Sequence, residues 1–189
     1  MRAATALLLP LAVGSCRGPD FQEQLSAVVR YYQPVIENVM GHEAQDFEVH
    51  VGSTDRFKKK YGGSPVHCRA LFATLEGPGE SKNVMIFDPS IENLGPDGVL
   101  AIAVHETVHA CTVEEWETLP RPLEEGLCDA IALSLSPRAW PAMKRDQGRE
   151  RRGWMEYVQR AGVPHVHELA LRAHREGLGE IPAEWLDLN

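Results

Sequence analysis

The sequence predicts an α+β fold in which a small sheet leans on the helix carrying residues 105–109. Three observations support this. Strand-type patterns fall between residues 46 and 87, and only helical patterns follow. The turn Glu76-Gly77-Pro78-Gly79 joins two apolar runs closely enough for a hairpin. The run Leu100-Ala101-Ile102-Ala103-Val104 is apolar nearly all round, as in a helix buried inside a domain. With 189 residues, the chain is long enough for one real core, which we assign to residues 20–189.

The elements follow in order. Asp20 is a suitable cap for a helix to Met40, with Leu25, Val28, Val29 and Tyr32 at helical spacing. Pro34 is expected to kink or end its first part. Phe47, Val49 and Val51 alternate with polar residues, giving a strand over 46–52. Thr54 to Tyr61 is short and lysine-rich, a surface helix. Val66 to Leu75 is rich in strand formers, and Val84 to Phe87 is a buried-type strand. Pro96-Asp97 opens a helix to Val113. Further helices are expected over about 123–135, 150–161 and 165–176, punctuated by Pro137 and by Gly162-Val163-Pro164. No internal repeat is present. The basic stretch Arg138 to Arg152 reads as a solvated loop rather than a site for acidic ligands.

Apolar residues make up 43% and charged residues 24%, as in ordinary globular domains. A net charge of −8 excludes a general nucleic-acid binder, which needs a positive face for phosphate. At the start, Arg2 precedes the apolar run Ala3 to Val13, too short to span a bilayer as a helix. Residues 1–16 therefore read as an export signal. Its end, Val13-Gly14-Ser15-Cys16, resembles a bacterial lipobox. That resemblance implies a lipidated Cys16, attachment to a membrane and a place in the bacterial cell envelope. Cys68, Cys111 and Cys128 then allow at most one disulfide, Cys111 with Cys68 or with Cys128. Their spacing is that of neither a zinc ribbon nor a redox CxxC pair.

His105-Glu106-Thr107-Val108-His109 is an HExxH motif. Residues four apart on a helix differ by about 40° around its axis, so both imidazoles point one way. Two such nitrogens can hold one zinc ion at about 2.0–2.1 Å, while Glu106 sits close enough to accept a proton from metal-bound water. Thr112 and Glu115 stand where a metzincin would carry Gly and His, which excludes that branch. Downstream, Glu125 and Asp129 share a helical face, and Glu124 shares another with Cys128, Ile131 and Leu135. Periodicity alone leaves open which glutamate is the third ligand.

Taken together, His105 to His109 and the segment Leu119-Pro120-Arg121-Pro122-Leu123-Glu124-Glu125-Gly126-Leu127-Cys128-Asp129-Ala130 resemble the gluzincins, most of all their small peptidase-MA-like members. The resemblance covers roughly residues 84–136, with Pro122 and Cys128 departing from the commoner aromatic and Ala. It implies a zincin-like α+β fold with a small mixed sheet packed on the HExxH helix and a mostly helical C-terminal part. It implies one zinc per chain on His105, His109 and Glu125, with Asp129 orienting a ligand imidazole. The implied activity is hydrolysis of a peptide or protein substrate by metal-activated water, with Glu106 as general base. It also implies a substrate strand pairing along Val84 to Phe87, and a Tyr or His donor for the oxyanion. Tyr157 is the first candidate for that donor, with His165 and His167 behind it. The alternative is a zinc-binding envelope protein without turnover, acting as a binding module.

Overall fold

The computed structural model describes residues 20–61, 68–77, 80–112, 114–139 and 149–186. The export signal and Cys16 lie outside the described residues. No helix among the described residues is long and apolar enough to cross a membrane.

Asp20 caps α1 (Phe21–Met40) by accepting from the Glu23 N–H at 2.9 Å. Gly41, at φ 70, ends it in a left-handed turn whose N–H bonds back to Glu37. Of the kink or end expected at Pro34, the end is not found, since the helix runs on to Met40. The missing backbone donor is outweighed by packing on both sides of it, since Leu25, Val29, Ile36 and Met40 are all buried.

Among the described residues, the sheet has three strands, β1 (Phe47–Val51), β2 (Ala70–Gly77) and β3 (Glu80–Phe87), in the order β1-β3-β2. β3 runs parallel to β1 and antiparallel to β2, so the sheet is mixed and the hairpin is present. The strand expected from Val66 starts at Ala70. Val84, Met85, Ile86 and Phe87 are all buried because β3 is the middle strand. This corrects the expectation that Val84 to Phe87 forms a cleft edge, since both of its edges are already paired. Between β1 and β2 lies the short helix α2 (Thr54–Tyr61).

After a 3-10 turn at Pro89–Leu94, α3 (Gly95–Ala110) carries the HExxH motif. Its all-round burial resolves into three stripes. Ala103 and Ala110 join Leu25, Val29, Met85 and Phe87 in the core between α1 and the sheet. Ala101, Val104 and Val108 join the helical core with Leu123, Leu127, Ile131 and Val166. Gly98, Ile102, His105, Glu106 and His109 face a cavity. Among the described residues, the remaining α-helices are α4 (Arg121–Leu135), α5 (Arg149–Ala161) and α6 (Val163–Arg175). The fold is thus α+β, mostly helical, with a small mixed sheet.

One contact sets the position of α5. A Cβ added to Gly126 would lie 2.7 Å from the Trp154 carbonyl carbon and 2.8 Å from the Met155 nitrogen. Only glycine lets α4 and α5 approach backbone to backbone here.

Candidate metal centre

The cavity measures about 1300 Å³ and runs along β2 from Ala70 to Leu75, past the third stripe of α3, to the start of α4. His105 and His109 enter it one helical turn apart, with ring centroids 5.0 Å apart. Each imidazole is held from behind by an acid of α4. His105 Nδ1 lies 2.9 Å from Asp129 Oδ1, and His109 Nδ1 lies 2.8 Å from Glu124 Oε1. The other nitrogens turn to one carboxylate: His105 Nε2 is 3.4 Å from Glu125 Oε2, and His109 Nε2 is 3.6 Å from Glu125 Oε1. The Glu125 carboxylate thus lies near both Nε2 atoms, and Asp129 meets His105 at its other nitrogen.

Cys128 comes near the same place. One donor atom each from His105, His109 and Cys128 lie within 4.8 Å of one another, a buried group able to hold a metal ion. Cys128 Sγ is 3.7 Å from His109 Nδ1, the nitrogen that Glu124 already occupies. Burial, with Glu124, Glu125 and Asp129 around it, pushes the Cys128 thiol well up, so it keeps its proton. Cys68, Cys111 and Cys128 are all free thiols, so neither expected disulfide forms.

Arg151 is the residue that sequence reasoning missed. It projects from α5 and grips Asp129 with two bonds, Nε to Oδ2 at 2.5 Å and Nη2 to Oδ1 at 2.8 Å. Its Nη1 reaches Glu125 Oε2 at 2.9 Å. Arg121 approaches the other oxygen of Glu125 at 3.2 Å. The basic stretch read as a solvated loop thus ends in a cation that braces two acids of the site. A signal was available: Gly126 inside a helical pattern marks a close neighbour, although it does not say which.

The electrostatics follow from these contacts. Burial opposes a proton on His105, but hydrogen bonds to Asp129 and Glu125 outweigh it and hold the imidazole pKa at about 9. Burial pushes Glu125 up, yet His105, His109 and Arg151 bring it well below the usual carboxylate range. Asp129 is lowered in the same way, against burial, by Arg151 and His105. Glu106 goes the other way: burial raises it, and the two histidines counter only in part.

The oxyanion candidates do not line this cavity. Tyr157 is buried in the helical core beside Trp154, and its hydroxyl has no hydrogen-bond partner among the described residues. His167 stacks on Trp116 at 4.6 Å, and His165 is exposed.

Fold and cavity together define an α+β domain with a buried histidine pair able to take a metal. Comparison of the chain with protein-family profiles, curated proteins and solved structures gives no match.

Proposed function

We propose that this chain is a zincin-like, gluzincin-type metallopeptidase that binds one zinc on His105, His109 and Glu125 and hydrolyses peptide bonds. The observation that supports it best is the shared target of His105 Nε2 and His109 Nε2, both turned to the Glu125 carboxylate while their Nδ1 atoms are held by acids. Two imidazoles and one carboxylate, with the cavity open beside them, suit a catalytic zinc site rather than a closed structural one. Zinc bound there supplies a Lewis acid that lowers the pKa of water to about 7.

The chain's own residues supply the rest. Glu106 lies in the cavity next to His105, placed to take the proton of the attacking water and pass it to the leaving amine. Its burial favours the neutral form, which suits the donating half of that cycle. β2 pairs on one side with β3, and its other edge meets no described strand. That edge borders the cavity, so an extended peptide can add to β2 by main-chain hydrogen bonds. Arg151, braced on Asp129 and Glu125, is the cationic group beside His105 and takes over from Tyr157 as the candidate donor to developing negative charge.

The test is metal content and peptide hydrolysis in the wild type and in Glu106→Gln. Both proteins should carry about one zinc per chain, and hydrolysis should vanish in the variant. Equal hydrolysis in both would reject Glu106 as the base. Zinc uptake with no hydrolysis in either would favour a zinc-dependent binding module.

A further inference from the structure

The two histidines of the site are not equally secure. His105 sits in the body of α3, whereas His109 lies in its last turn, one residue before its end at Ala110. Helix ends fray, and an imidazole there needs outside support to hold one tautomer and one direction. Glu124 provides it. Its Oε1 is 2.8 Å from His109 Nδ1. The Thr112 hydroxyl lies 2.8 Å from the His109 carbonyl oxygen and 3.1 Å from the same Glu124 oxygen. The end of α3, its imidazole and the first turn of α4 are thereby tied at one carboxylate.

We infer that Glu124 is a positioning residue that accepts the Nδ1 proton of His109 and so fixes the tautomer whose Nε2 lone pair faces the metal. The inference rests on the metal reading above. Glu124 serves this purpose and not that of a third ligand because its oxygen meets Nδ1, on the ring edge away from Nε2. Glu125, one residue on, meets the Nε2 atoms. Successive helical residues are about 100° apart, so the two side chains cannot take the same place. Neighbouring glutamates thus divide the work, one binding and one orienting.

The experiment compares zinc affinity, by competition with a chelating dye, in wild type, Glu124→Ala, Glu124→Gln and Glu125→Ala. Nitrogen-15 spectra of the imidazoles report the tautomers. Loss of an orienting partner typically weakens zinc binding about 10–100-fold, which is the expectation for Glu124→Ala. Glu124→Gln keeps an acceptor oxygen and should recover most of that loss. His109 should carry its proton on Nδ1 in wild type and in Glu124→Gln, and show mixed tautomers in Glu124→Ala. Wild-type affinity and a single tautomer in Glu124→Ala would overturn the inference. So would complete loss of zinc in Glu124→Ala with retention in Glu125→Ala, since Glu124 would then be the ligand. If the wild type takes up no zinc, the metal reading fails by itself. The His109 tautomer in metal-free protein then still decides what Glu124 does.

Discussion

Replacing Gly126 by Ala tests how the site is built. The added Cβ would lie 2.7 Å from both the carbonyl carbon and the Cβ of Trp154, and 2.8 Å from the Met155 nitrogen. Carbon contacts settle at about 3.5–4.0 Å, so α4 and α5 must part by about 1 Å. Two effects then compete. Ala gains about 1 kcal/mol over Gly as a helix former. Overpacking costs about 1–3 kcal/mol, and its upper range applies because the obstructing atoms are mostly backbone, which cannot rotate aside. The net loss is about 1–2 kcal/mol, which lowers the melting point of a domain this size by about 2–8 °C. Arg151 precedes Met155 by one helical turn, so its bonds of 2.5–2.9 Å to Asp129 and Glu125 must stretch as α5 moves. Urea unfolding of the metal-free protein measures the first effect. A chelator competition measures the second, expected as a drop in zinc affinity of about tenfold. If Gly126→Ala is as stable as wild type or more so, with unchanged zinc affinity, helix propensity has won and the helices are not in backbone contact.

Three other outcomes are expected. In the metal-free protein, the raised His105 contributes stability that is complete below about pH 6.5 and lost as pH climbs through about 9. The lowered Glu124, Glu125 and Asp129 contribute stability present above about pH 4.5 and lost on acidification. Urea midpoints should therefore fall from pH 6 to pH 9.5 in wild type but not in His105→Gln; parallel profiles would refute the His105 assignment. Tyr157→Phe removes a buried hydroxyl without a partner, so stability, zinc affinity and turnover should hold or improve. A large fall in turnover alone would restore Tyr157 as the oxyanion donor. Cobalt(II) in the site should show no sulfur-to-metal charge-transfer band, and Cys128→Ala should keep the metal. A thiolate band would put Cys128 in the place given to Glu125.

What could be read from the sequence was what depends on local periodicity. The helix expected from Pro96 to Val113 and found over Gly95–Ala110, its inward-facing histidines and the hairpin all follow from spacings within a few residues. That α1 continues past Pro34 could not be read, because the burial of Ile36 and Met40 beyond it is tertiary. The order of the strands was hidden for a related reason: the run Val84 to Phe87 says that a strand is buried on both faces, but not which strands flank it. Glu124 and Glu125 could not be told apart because both face inward, and only the crossing of α3 and α4 decides which ring nitrogen each one meets. Arg151 was least legible. Its partner Asp129 is 22 residues away and lies on another helix, and its neighbours in sequence are the basic residues of a surface stretch.

These contacts also bear on when Glu106 can act. Glu106, Glu124, Glu125 and Asp129 are among the carboxylates that line the cavity with Arg151. Without metal, the sources of positive charge include Arg151, Arg121 beside Glu125 and the proton that His105 holds up to about pH 9. If zinc binds as proposed, the same proton must leave before His105 can offer Nε2 as a ligand, so uptake at neutral pH would release it. The exchange replaces one positive charge with two, within reach of the buried carboxyl of Glu106. Glu106 is raised because burial outweighs the histidines, and a nearby dication shifts that balance toward the ionised form. On this reading, a dication bound beside it favours the ionised form of the proposed base, against the burial that raises it.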